Sequence, residues 1–186
     1  KDICHGLNLS LQNSLSILPD ELIDFIDEIH QHFTSPHRLE YLHDLQLDNN
    51  LQVLSPSHYV RTRWLSLGES LTRLLQLWKS LILYMKSKPN IVGFKPTKFD
   101  EYLKRLEDPI FKLQIQVLSA LIAKINSTNI TFQNQSLEIQ HIKLESEKCL
   151  KELCALFLRS NSIPSDLSKL EIEEWKDEKK YASHFV

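Results

Sequence analysis

Arg61, Arg63, Trp64, Arg73, Lys79, Lys86 and Lys88 form the one constellation in this chain whose residue types suit a defined chemistry. Arginine and lysine neutralise phosphates, and an exposed indole beside them stacks on an unpaired base. The charge pattern supports a nucleic-acid contact. Residues 1–60 hold 9 acidic and 2 basic side chains, whereas residues 61–98 hold 8 basic and 1 acidic, a local 8 − 1 = +7 inside a chain of net charge −2. The competing use of the same block is to neutralise the acidic segment before it, with Trp64 buried at a helix start and the arginines solvated.

Other reactive residues are less organised. Six histidines fall within residues 1–60, but His30 and His32 are two apart and Cys4 is adjacent to His5. Neither arrangement is the i, i+4 pair or the C-x-x-C spacing of a tetrahedral metal site. No metal is expected, and the histidines read as surface or half-buried groups. Asp24, Asp27 and Glu28 cluster on one helix and are expected on its solvated face. Two-metal chemistry needs carboxylates converging from separate elements. Cys4, Cys149 and Cys154 are odd in number, which argues against a disulfide framework and for a reducing compartment. Four Asn-x-Ser/Thr matches, at Asn8, Asn126, Asn129 and Asn134, read as chance without a secretory signal. No Gly-rich phosphate loop, G-x-S-x-G elbow or H-E-x-x-H pair is present, and no apolar run reaches the length of a membrane span.

The elements that would position these residues are helical. Only 3 glycines occur among 186 residues, and leucine recurs throughout, so the chain is expected to be an all-α helical bundle with one short extended segment near residues 53–62. The spacing of Leu7, Leu11, Leu15 and Leu18 predicts a helix over residues 4–18, with a short strand through the alternating Leu7, Leu9 and Leu11 as the competing reading, and Pro19 ends the run. A second opens at Asp20-Glu21 with Ile23, Ile26, Ile29 or His30, and Phe33 inward, and a third runs from Arg38 to Gln46 with Leu39, Leu42 and Leu45 inward. From Thr62 to Lys86, Leu67, Leu71, Leu74, Trp78, Leu81 and Met85 repeat at 4-3-4-3-4 as an unbroken apolar seam. A linker over residues 87–98 precedes a short helix at about 99–107. A long helix then starts at Asp108-Pro109, with Phe111, Ile115, Leu118, Ile122, Ile125 and Phe132 spaced helically. Polar residues from Asn126 to Asn134 are expected to bend or break it. Leu150, Leu153, Cys154, Phe157 and Leu158 mark a further helix that makes Cys149 and Cys154 packing residues. Asp166 caps a restart, and a charged tail carries Trp175.

Cys4-His5-Gly6-Leu7-Asn8-Leu9 resembles the Cys/His-x-Leu-Asn-Leu motif of hAT-superfamily DNA transposases and their domesticated relatives. His32-Phe33-Thr34-Ser35-Pro36-His37-Arg38 is similar to the segment that follows in many of them. Thr62-Arg63-Trp64-Leu65-Ser66 resembles their threonine-arginine-tryptophan motif, with a leucine-rich helix behind it. Order and spacing agree across about residues 3–86, and the stretch from Leu106-Glu107-Asp108-Pro109 to Asn129-Ile130-Thr131-Phe132-Gln133 is also similar. Here Cys4 and His5 are adjacent, where the family has Cys-x-x-His.

The resemblance implies a ribonuclease-H-like catalytic domain interrupted by an all-α insertion. Residues 1–60 would be an acidic helical remnant of the former and residues 61–186 an insertion-like region, packed as one unit. The chain, which opens within a motif, is expected to be a piece of a longer protein. It would start after the second catalytic aspartate and stop before the catalytic glutamate. On that reading the segment has no catalytic residue and no cofactor of its own, and any divalent metal belongs to an intact parent. Trp64 would take the place of the tryptophan that stabilises a flipped base. The expected function is that of a nuclear, DNA-contacting or protein-docking helical scaffold. The alternatives are an interaction module in transcription or chromatin regulation, or part of an active transposase. DNA and a protein are the expected partners, with no membrane, and homo-oligomers would form through regions outside the segment.

Overall fold

The computed structural model describes residues 20–58, 64–87, 96–134 and 139–169, together with Lys179 and Tyr181. Six α-helices account for most of them: α1 (Asp20–His32), α2 (Pro36–Asp48), α3 (Trp64–Ser87), α4 (Pro96–Glu107), α5 (Pro109–Asn134) and α6 (Ile139–Ala155). Among the described residues there is no strand beyond an isolated bridge between Leu158 and Tyr181. The fold is all-α, as the composition implies. The helix expected over residues 4–18 and the tail with Trp175 lie outside the described residues.

Two compact units divide between Ile122 and Ala123. In the first, α3 is the common neighbour of α1, α2 and α4. Its 4-3-4-3-4 seam places Leu67, Leu71, Leu74, Trp78, Leu81 and Met85 inside, and Leu77 and Tyr84 widen the buried face. The indole of Trp78 donates to the Leu106 carbonyl at 3.0 Å. That carbonyl lies in the last turn of α4, where no intrahelical donor remains, so one bond satisfies both groups. Phe25 of α1 meets Tyr102 of α4 and Phe111 of α5 edge-on, with centroids 5.8 and 5.2 Å apart. The change from acidic to basic sequence at residue 60 therefore falls inside this unit, where α1 and α2 pack on α3.

Several inward positions differ from the expected ones. In α1, Ile26, Ile29 and Phe33 are buried as expected, but the stripe is completed by Leu22 and Phe25, and Ile23 at its edge is half-buried. The third predicted helix begins at Pro36, whose fixed φ suits a first turn. In α2, Leu39 and Leu45 are half-buried, and Leu42 shares the interior with Gln46, which is 0 % exposed.

Gln46 explains the extended segment. Asn50, at φ 53°, turns the chain out of α2 through the left-handed region that asparagine tolerates. Residues 51–58 then run back along the bundle with neither helix nor sheet pairing. The Gln46 carboxamide takes the place of a neighbouring strand. Its Nε2 donates to the Leu54 carbonyl at 3.1 Å, and its Oε1 accepts the Leu54 N–H at 3.0 Å. Ser57 donates to Ser70 of α3 at 3.1 Å. Pro56 and Ser57 close over Ile26, Ile29 and Leu74, leaving room for about one water molecule.

The second unit contains the end of α5, α6 and the turns that follow. The stretch from Asn126 to Asn134 does not break α5. Thr128 and Thr131 hydroxyls donate to the carbonyls of Lys124 and Ser127, at 3.3 and 3.2 Å, so their polarity is spent within the helix. Lys124 reaches Glu152 of α6 at 2.6 Å. Cys149 and Cys154 are buried free thiols, as expected of packing residues. The last helix starts earlier than the leucines suggest, at Ile139; Leu150 is exposed, and Phe157 and Leu158 follow the helix end.

Gln46→Leu keeps the side-chain volume but removes both bonds to Leu54. We expect it to lower unfolding free energy by about 1–3 kcal/mol, read by urea titration, and to expose residues 51–58 to limited proteolysis while helical circular dichroism is retained. Unchanged stability together with unchanged cleavage would contradict the assigned clamp.

Candidate functional site

The basic constellation is only partly within the described residues. Arg61, Thr62, Arg63 and Lys88 lie outside them, as do Cys4, His5 and Asn8 of the leading motif. Trp64 is the first residue of α3, and its side chain is outside the described set. Of the remainder, Lys79 and Lys86 are exposed and Arg73 is half-buried. Lys79 and Lys86, seven residues apart, share one face of α3, whereas Arg73 is turned away from Lys79 by about 120°. These three cations do not converge.

Part of the positive block is engaged by carboxylates. Lys86 Nζ lies 2.7 Å from Glu107 of α4, and Lys98 Nζ lies 3.4 Å from Glu101 and 3.9 Å from Glu28 of α1. Such exposed pairs add little stability, but they lower the field available to a polyanion. The carboxylate cluster of α1 is less uniform than expected. Asp24 is exposed, while Asp27 and Glu28 are half-buried. Glu28 faces Tyr102, whose hydroxyl is pushed up to about 12, mainly by burial and then by the negative charges of Glu28 and Glu101. Among the described residues no three His, Cys, Asp or Glu side chains come close enough to hold a metal ion.

The histidines separate into distinct roles. His32, 3 % exposed, ends α1 inside the aromatic cluster of Phe33, Tyr84 and Phe99. Arg38 Nη1 lies 3.4 Å from its Nδ1 and 3.3 Å from its carbonyl oxygen. A guanidinium can only donate, so Nδ1 is the acceptor, and Nε2–H donates to the Tyr84 hydroxyl at 2.8 Å. Burial, and then the Arg38 charge, push the His32 imidazole down to about 4. Burial also lifts the Tyr84 phenol well above its usual range. His43 Nε2 meets Ser55 Oγ at 2.9 Å. The rings of His30 and His58 lie 4.6 Å apart, and His30 is lowered by burial and by His58 against an opposing pull from Asp27.

One surface stands apart from these polar contacts. On α5, Ile110 is 65 % and Leu113 52 % exposed, and Val117 and Ala120 continue the same face as half-buried and exposed residues. The 3-4-3 spacing of these four makes a second apolar stripe beside the buried one of Phe111, Ile115, Leu118 and Ile122. Gln114 and Gln116, both exposed, flank it, and no charged residue occurs between Leu113 and Ala123. Both stripes are helically spaced in the sequence, but only one was read from it. Comparison of the chain with protein-family models, with curated proteins and with solved structures gives no match.

The His32 geometry sets a pH dependence. Between its ordinary value of 6.5 and the folded value of about 4, the unfolded chain binds a proton that the folded chain refuses. Stability should therefore fall as pH drops from 6.5 through about 4, and this contribution should level off below. The loss from His32 is expected to be on the order of 3 kcal/mol. Urea midpoints across that range should decline in the natural chain and decline much less in His32→Phe. Equal slopes in the two proteins would refute the assignment.

Proposed function

We propose that this bundle is a protein-docking scaffold within a nuclear, hAT transposase-derived protein, and that it has no catalysis of its own. One observation carries the docking part: the uncharged stripe of Ile110, Leu113, Val117 and Ala120 lies outside the core that the described residues form. Apolar residues scattered singly on a surface need no explanation, but four at helical spacing, flanked by Gln114 and Gln116 with Lys112 at one edge, are what a partner helix or groove takes up. The family part is supported by Cys4-His5-Gly6-Leu7-Asn8-Leu9, His32 to Arg38 and Thr62 to Ser66, occurring in the family's order ahead of and within a helical region. On this reading, metal-binding carboxylates and the oligomer contacts belong to other parts of the parent protein.

A photoreactive residue at position 117 tests the docking face. In nuclear extract it should give one discrete crosslinked species. Leu113→Glu should reduce the yield about tenfold or more, as loss of an interface anchor does, without altering the melting temperature. A crosslinking pattern identical to that from exposed position 76 on α3 would count against a dedicated face.

A second reading, nucleic-acid contact, is favoured by Lys79, which is exposed and forms no ion pair among the described residues. With Arg61, Arg63, Trp64 and Lys88 it would track a phosphate backbone. Gel shifts at low salt should then show binding that weakens as salt rises. Arg63→Ala and Trp64→Ala should each cost about tenfold. No binding at low salt, or binding unchanged in both variants, would sink it.

A further inference from the structure

We propose that Ser55 is a phosphorylation site for a proline-directed protein kinase, and that the phosphate releases residues 51–58 from the bundle. The chain holds two Ser-Pro steps, Ser35-Pro36 and Ser55-Pro56, and the fold treats them differently. A residue before proline is confined to extended backbone, and a kinase cleft takes its substrate extended on both sides of the serine. After Ser35 the chain enters α2 at once, and the N–H groups of Arg38 and Leu39 both bond back to the Ser35 carbonyl at 3.1 Å. The first turn of α2 would have to unwind before Ser35 could be used. Around Ser55 every residue from 51 to 58 lies outside helix and sheet; Gln52, Val53 and His58 are exposed, and Leu54, Pro56 and Ser57 are half-buried. A kinase would have to open the Gln46 and Ser70 hydrogen bonds but no helical turn.

The hydroxyl itself sits at the junction of this segment with α2. Ser55 is half-buried, and among the described residues its Oγ meets His43 Nε2. In the transfer, Ser55 Oγ bonds to the γ-phosphorus of a nucleoside triphosphate. The bond from that phosphorus to its bridging oxygen breaks, the nucleoside diphosphate leaves, and the hydroxyl proton passes to the kinase's base. A dianion then stands where a hydroxyl met an imidazole, with Asp44 following His43 on the same helix.

Two forces oppose each other here. Keeping the segment docked retains the two Gln46 bonds to Leu54, one residue away, and leaves the His43 imidazole to face the phosphate, but holds a dianion in a half-buried seam. Neutral hydrogen bonds have a small net worth, because water replaces them, whereas desolvating a charged group is far more costly. The segment lifts. It runs on towards Arg61-Thr62-Arg63-Trp64, so the modification would act on the approach to that stretch.

The test treats the full chain, folded, with a proline-directed kinase and ATP, followed by peptide mapping and hydrogen exchange. Phosphate should appear on Ser55, and Ser55→Ala should abolish its incorporation. The Leu54 amide should exchange about tenfold faster in the phosphorylated chain, having lost its buried acceptor. Incorporation at Ser35 in place of Ser55, incorporation only after unfolding in urea, or unchanged exchange at Leu54 in a chain phosphorylated on Ser55 would each overturn the proposal.

Discussion

Burial of one face of α3 is the constraint on which the first unit depends. Its apolar seam is too long and too continuous for a single neighbour to cover. α1, α2 and α4 are each placed by the part of it that they bury. The aromatic residues extend this arrangement sideways. Phe25 and Tyr102 meet over the seam, and the Trp78 indole ties α3 to the end of α4. Removing a buried leucine here would lose both the transferred area and the packing around it.

Polar groups inside the bundle then decide finer placement. Gln46 has no apolar role, yet it is enclosed, and both ends of its carboxamide are spent on Leu54. His32 has a similar standing between Arg38 and Tyr84. Each is satisfied by a partner that only tertiary structure brings near. Together they give an irregular segment and a helix end one position apiece. They also make the fold sensitive to acid, since a buried neutral imidazole resists the proton that the unfolded chain accepts.

The architecture was legible where apolar spacing was regular and unshared. The α3 seam, the start of α5 at Asp108-Pro109 and the packing of Cys149 and Cys154 all follow from periodicity and capping residues. In α1, Ile26, Ile29 and Phe33 are buried as their spacing implies, and only Ile23 departs: it is as apolar as Leu22, and spacing alone does not decide between them. Leu39 and Leu45 looked like core for the same reason, while glutamine at 46 carries no apolar signal at all. The predicted break after Asn126 failed because threonine hydroxyls can bond within a helix instead of competing with it. As for the site, sequence singled out a basic block by counting charge along the chain. Of its described members, Arg73 is turned away from Lys79 and Lys86, and Lys86 and Lys98 are set against carboxylates. The α5 stripe escaped notice because its residues interleave with those of a core stripe on the same helix.

That stripe is the centre of the functional account, which holds that the outer face of α5 is kept for something other than folding this chain. The most direct measurement is the urea unfolding free energy of Leu113→Ala. If the face is unused by the fold, the value should stay within about 0.5 kcal/mol of the natural chain. A loss of about 2 kcal/mol or more, as for a buried leucine, would mean that Leu113 belongs to the core and that the docking face does not exist.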